Sequence, residues 1–170
     1  MKIACVTAPG LGETDLLMAQ VAARLEGEGR ALAGIVKLLE QPDAPRHHCD
    51  MEVRVLPDGP VIAITQNLGK ESTSCRLNPA AIAEAVAAVE SRPLDHADMF
   101  LLNKFGPEEA AGRGFCGVIG SALERGLPVL VGVGAPSRAA FDAFAGGMAV
   151  DLPADLDALC DWCRDAMVKA

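Results

Sequence analysis

Aromatic residues are scarce in this sequence: 170 residues include no tyrosine, one tryptophan and five phenylalanines. Because 51% of the residues are still apolar, the core must be built mainly from Ala, Val, Leu and Ile, which favours helices packed on a parallel sheet. Long apolar runs are missing too. None reaches membrane-spanning length, and Ile3 to Ala8 is too short for the apolar core of a signal peptide. Excess positive charge is absent: the formal net charge is -8, so there is no field to draw a polyanion. Nucleic acid and membrane surfaces are therefore not expected partners, whereas a local cationic pocket is still allowed. No internal repeat or low-complexity tract interrupts the chain. Its length fits one domain, residues 1–170, and a cytoplasmic protein is expected. A homodimer is left open. Six cysteines in a reducing compartment read as free thiols or metal ligands rather than as a disulfide framework.

What is present alternates between strand and helix. Lys2 to Ala8 reads as a short buried strand, Pro9-Gly10-Leu11-Gly12 as a turn, and Thr14 to Glu28 as a helix with an apolar stripe at Leu16, Leu17, Val21 and Leu25. Gly29 ends that helix, and Ala31 to Leu38 is a second buried strand. Residues 40–48 form a loop rich in Pro, Asp and His. A β-hairpin is expected from Met51 to Leu56 and Val61 to Thr65 around Pro57-Asp58-Gly59-Pro60, followed by an irregular polar stretch from Asn67 to Arg76. Asn78 caps a helix from Pro79 to about Ser91, with the proline suited to the first helical position. Further strands are expected at Met99 to Leu102 and Val129 to Val133, and helices at Phe115 to Arg125, Ala139 to Phe144 and Leu156 to Val168. The sum is a three-layer α/β fold, a mostly parallel sheet with helices on both faces and an inserted β-hairpin.

In such a sheet, ligands collect outside the carboxyl ends of the strands, where helix N-termini offer unpaired N–H groups to an anion. Thr7 to Thr14 holds that position. Against the P-loop pattern GxxxxGK[ST], Thr7-Ala8-Pro9-Gly10-Leu11-Gly12-Glu13-Thr14 keeps the second glycine and the hydroxyl, with Thr7 for the first glycine and Glu13 for the lysine. A carboxylate beside bound phosphates repels them, so tight binding of a triphosphate is not the default expectation. Plain turn geometry is the competing reading of the motif.

With its downstream segments the chain resembles the small bacterial and archaeal nucleoside-triphosphatases of the THEP type, over roughly residues 2–133. The order carries the resemblance: the turn Pro9-Gly10-Leu11-Gly12-Glu13-Thr14, the strand Ala33-Gly34-Ile35-Val36, the hairpin Met51 to Thr65, Cys75-Arg76-Leu77-Asn78, and the strand ending in Asn103-Lys104-Phe105-Gly106-Pro107-Glu108-Glu109. More closely, Cys49-Asp50-Met51, Cys75-Arg76-Leu77-Asn78-Pro79, Asn103-Lys104-Phe105-Gly106 and Gly112-Arg113-Gly114 are similar to a bacterial family known as a domain of unknown function. That family is described as nucleoside-triphosphatase-like and is often encoded near molybdate-transport genes. The resemblance implies a P-loop fold and a nucleotide with magnesium, phosphate or molybdate as ligand.

The departures from that pattern are in the charges. Where the active enzymes carry Asp-Glu for magnesium and water, this chain carries Asn103-Lys104, and with Glu13 in the turn the site reads as charge-swapped. Either Lys104 supplies the missing cation to an oxyanion, assisted by Arg113, or Glu13 neutralises Lys104 and the site is closed. The first is favoured. Thr14 and Asp15 serve a phosphate and its magnesium, or only the helix N-terminus; Glu109, with Glu108, positions a water or cation, or is a dipole partner. The candidate ligand-binding set is Pro9, Gly10, Gly12, Glu13, Thr14, Asp15, Asn103, Lys104, Glu109 and Arg113. Without the second carboxylate, hydrolysis is expected to be weak or absent.

His47, His48, Cys49 and Cys75 have donor types suited to zinc or another soft ion, although the spacing matches no standard module. A solvated loop and small core thiols are the competing reading. Cys160-Asp161-Trp162-Cys163 has CxxC spacing in a helical context, so both thiols are expected to pack against the sheet rather than to do redox chemistry. The leading expectation is a degenerate P-loop protein binding a nucleotide phosphate or small oxyanion. The alternatives are a non-enzymatic metal or molybdate handling protein built on the Cys and His residues, and an interaction module with a collapsed pocket.

Overall fold

The computed structural model of the chain describes residues 2–38, 51–66 and 76–168. The strands are β1 (Ile3–Val6), β2 (Leu32–Lys37), β3 (Glu52–Val55), β4 (Val61–Ala63), β5 (Thr65–Gln66), β6 (Arg76–Leu77), β7 (Met99–Phe105), β8 (Val129–Val133) and β9 (Ala149–Leu152). The α-helices are α1 (Glu13–Gly27), α2 (Pro79–Glu90), α3 (Pro107–Ala110), α4 (Cys116–Glu124), α5 (Arg138–Ala145) and α6 (Leu156–Val168). Single 3-10 turns sit at Leu94–His96 and Ala135–Ser137.

Seven strands form one sheet in the order β4-β3-β2-β7-β8-β1-β9. The five from β2 to β9 run parallel, while β3 and β4 add on antiparallel, so the expected hairpin extends the main sheet beyond β2. Burial explains this division. The central strands β1, β7 and β8 are apolar almost throughout and buried on both faces, whereas β3 alternates buried and half-buried positions and β4 lies at the rim. β5 and β6 pair separately as a two-stranded ribbon.

Helices cover both faces. On one, Met18, Val21 and Leu25 of α1 and Leu159, Cys160 and Cys163 of α6 pack on Ala4, Val6, Leu101 and Leu130. On the other, Ile82 and Val89 of α2, Val118 and Ile119 of α4 and Phe141 of α5 pack on Phe100, Leu102 and Val131. The ring of Phe105 meets that of Phe141 edge-on at 5.3 Å between centroids. The CxxC thiols are thus core groups, as their helical context implies. Burial pushes Cys163 up to about 12 and raises Cys160 as well, which holds both as neutral thiols.

Three departures from the expected elements have local causes. β7 continues past Leu102 to Phe105, because Asn103 is buried and Phe105 enters the core, with a register irregularity between them that leaves Lys104 bulged outward. The Asn103–Lys104 peptide is cis. β9 has no counterpart among the expected strands: Ala149-Val150-Asp151-Leu152 has neither an apolar run nor clean alternation, and it borders β1 alone. The short helix α3 follows from Pro107 at its first position and Glu109 folded back on its start. Among the described residues no helix is long and apolar enough to cross a membrane.

Candidate functional site

The turn between β1 and α1 does what a glycine-rich strand-to-helix turn requires. Gly12 takes φ 76°, a left-handed conformation that admits glycine with little penalty, and α1 starts at the next residue. The Thr14 hydroxyl is buried and accepts a hydrogen bond from the Ala8 amide at 3.0 Å, which ties the helix back to the end of β1. Thr14 therefore does not cap the helix. Glu13 determines the character of the turn: its carboxylate reaches back and accepts from the Gly10 amide at 2.8 Å. A Cβ on Gly10 would collide with that carboxylate, so the glycine is what lets the side chain lie over the backbone. The turn holds an anion already, and the anion is its own.

Asp15 points elsewhere. Only 4% exposed, it receives the Lys37 ammonium from the end of β2 at 3.1 Å and the Lys104 ammonium from β7 at 3.5 Å. Asn103 completes the cluster. With its carboxamide turned to satisfy both neighbours, it donates to Asp15 Oδ1 at 3.0 Å and accepts from the Lys37 amide at 3.2 Å. The alternative in which Glu13 neutralises Lys104 is thereby corrected: Lys104 pairs with Asp15, and Glu13 accepts from the Gly10 amide. Lys37 is absent from the sequence-derived candidates. It closes an otherwise apolar strand, and its place at the carboxyl end of a parallel strand was the available signal.

Beyond β7, Glu109 is 6% exposed and both its oxygens are engaged, one by the Gly106 amide at 2.9 Å and the other by the Phe115 amide at 3.0 Å. Gly114, at φ 55°, leaves the room this requires, because a Cβ there would strike the carboxylate. Glu109 thus joins the start of α3 to that of α4. Glu108 is bound by Arg113 at 2.8 Å and 3.2 Å, and the guanidinium holds this carboxyl below its usual range. Arg113 is spent on that pair. Replacing Glu109 by Gln puts an amide donor against one of two backbone donors, and we expect a loss of about 1–3 kcal/mol, measurable as a lower urea midpoint with an unchanged slope.

These groups line an apolar cavity of about 160 Å³ at the carboxyl ends of β2 and β7. Ile35, Met51, Val53, Ile64, Ile82 and Phe115 wall it, and Asp15, Lys37, Asn103 and Lys104 supply its polar end. Pro9, Gly10, Gly12, Glu13 and Thr14 are together in the turn but do not border this cavity. The candidate set therefore divides between turn and cavity, joined through α1 between Thr14 and Asp15, with Arg113 in neither group and bound to Glu108.

The arrangement does not suit the magnesium ion that usually accompanies a nucleotide. At the end of β7 stand a carboxamide already engaged on both atoms and an ammonium, and the nearby buried carboxylate is held by two cations. The metal-ligand candidates His47, His48, Cys49 and Cys75 lie outside the described residues. Among the described residues no cluster of three or more His, Cys, Asp or Glu is placed to hold a metal.

The family described as "Protein of unknown function (DUF2478)" matches residues 3–162. The chain belongs to that family. It is also 31% identical over 164 residues to a protein of Bradyrhizobium diazoefficiens named "Molybdenum import ATP-binding protein ModC 2", a match covering 96% of this chain. It spans only 18% of that relative's length. Among solved structures, a human cancer-related nucleoside triphosphatase determined in solution superposes with a TM-score of 0.64 at 11% identity, over 99% of this chain and 97% of the other. The chain thus has the fold of that nucleoside triphosphatase, a mostly parallel seven-stranded sheet with helices on both faces.

Proposed function

We propose that the chain is a non-hydrolysing, P-loop-derived binding domain whose glycine-rich turn takes the phosphate of a nucleotide, or a free tetrahedral oxyanion, in competition with Glu13. The observation that carries this reading is the carboxylate seated on the Gly10 amide. A turn that orders an anionic group on its own backbone has the donors an external anion needs, and Glu13 is exposed, so an incoming oxyanion can displace it. The relative named as an ATP-binding protein of molybdenum import supports testing both a nucleotide and molybdate.

Absence of hydrolysis rests on how the neighbouring carboxylates are used. Asp15 is held by Lys37 and Lys104, Glu109 by two amides, and Glu108 by Arg113, so none of these is free to orient a water. Titration calorimetry with ATP, phosphate and molybdate is the direct test, on wild type and Glu13→Gln. The variant is expected to bind the oxyanion roughly tenfold more tightly, since a unit charge next to the ligand is removed. Equal affinity in both proteins would place the anion elsewhere. Phosphate release with magnesium and ATP is expected to stay at the buffer rate; turnover dependent on protein concentration would refute the non-hydrolytic part.

A further inference from the structure

The cavity beside the turn has its own chemistry. Its walls are apolar side chains from β2, β3, α2 and the start of α4, and its volume of about 160 Å³ matches the space of roughly 150 Å³ that accommodates one benzene ring in a protein core. That body is too small for a nucleoside with its sugar. The one strongly polar end is the group around Asp15, where two ammonium groups face a single carboxylate.

The two lysines are not equivalent. Lys37 is three-quarters buried and lies at hydrogen-bond distance from Asp15, while Lys104 is 44% exposed and stands at 3.5 Å, outside good hydrogen-bond length. Lys104 retains donors for a ligand. Of the other carboxylates lining the cavity, Glu108 is paired with Arg113, and Glu109 accepts from the amides of Gly106 and Phe115, which satisfy its oxygens without cancelling its charge. Lys104 is therefore the cation at this end with donors left for an anionic group, and the walls select an apolar body about the size of one ring.

We propose that this cavity is a second binding site, taking a single-ring organic acid with its ring between Val53, Ile64, Ile82 and Phe115 and its carboxylate on the Lys104 ammonium. Glu13 does not line the cavity, so the site is independent of the phosphate-turn reading. Placement at the carboxyl ends of adjacent parallel strands is where α/β folds position ligands. Asp15 holds Lys104 in place and Asn103 holds Asp15, which orients the cation before a ligand arrives.

Benzoate is the probe, with benzamide as the uncharged ring and acetate as the charge without a ring. Methyl and amide NMR spectra of the full chain are expected to shift saturably with benzoate at Ile35, Val53, Ile64 and Ile82, and not at Gly10 or Gly12. Lys104→Met, which keeps the stem and removes the charge, is expected to weaken benzoate at least tenfold and leave the weaker benzamide binding unchanged. Ile82→Phe, which fills the cavity, is expected to abolish both ligands while the dispersed amide spectrum shows a folded chain. Acetate binding as tightly as benzoate, benzoate affinity untouched by Lys104→Met, or no cavity shifts with millimolar benzoate would each overturn the proposal. Phosphate titration of the same samples reports on the turn separately, through Gly10 and Gly12, so either site can fail without the other.

Discussion

Replacing Asp15 by Ala is expected to destabilise the fold by about 2–4 kcal/mol, and replacing Lys37 by Met in the same chain is expected to restore much of that loss. Asp15 is 4% exposed and accepts from the Lys37 ammonium and, through the oriented carboxamide, from Asn103. Alanine leaves the three-quarters-buried Lys37 ammonium and the Asn103 amide without their acceptor, and an unmatched buried group costs more than its pair contributed. The Lys37→Met change removes the stranded charge while keeping a flexible apolar stem of similar length. The Lys104 contact is longer and more exposed, so Lys104→Met alone should cost under about 1 kcal/mol. Urea unfolding of wild type, both single variants at positions 15 and 37, and the double variant gives the coupling directly. Additive losses would mean that Asp15 and Lys37 do not stabilise each other. A wild-type midpoint for Asp15→Ala would remove the cluster from any structural role.

That pair marks the boundary of what the sequence revealed. The alternation of strands and helices was legible because each central strand is an apolar run bounded by turn residues. Asn78 was legible as a cap, and its side chain accepts from the Ala80 and Ala81 amides. The glycine turn and the Asn103-Lys104 strand end were legible as candidate positions, but not that the strand end alone borders the cavity. Which carboxylate meets Lys104 was not. Glu13 and Asp15 are two residues apart, and at 3.6 residues per turn their side chains diverge by about 200° around the helix. Glu13 at the first helical position folds back over the turn, while Asp15 faces the ends of β2 and β7. Helix phase therefore assigned the partners, and the exact starting residue of a helix is the quantity sequence patterns fix least well. Asn103 and Lys104 fell beyond the expected strand Met99 to Leu102 for a related reason: Asn103 is tolerable inside a strand because Asp15 and the Lys37 amide satisfy its carboxamide, and both partners are distant in sequence. β9 gave no signal because an edge strand beside one neighbour needs no continuous apolar face.

Glu13→Lys is expected to bind ATP about a hundredfold more tightly than wild type and still not hydrolyse it. The turn already has P-loop spacing, with Gly12 in the left-handed region and Thr14 tied to the end of β1. What opposes a phosphate there is the carboxylate on the Gly10 amide, which both occupies a donor and repels the ligand. Lysine removes one negative charge and adds one positive charge at the position that meets the outer phosphates, and each unit change near a solvated anion is worth roughly a factor of ten. Turnover demands something different, a positioned base and a metal seat at the end of the central strand. The substitution leaves Asn103 engaged with Asp15, Lys104 positively charged, and Glu109 bonded to two amides. Calorimetry with ATP and magnesium, followed by phosphate release on the same samples, separates the two requirements. Unchanged ATP affinity would show that the turn is scaffold and not a phosphate site. Tight binding with turnover would place a base in the chain that none of the carboxylates Asp15, Glu108 and Glu109 provides.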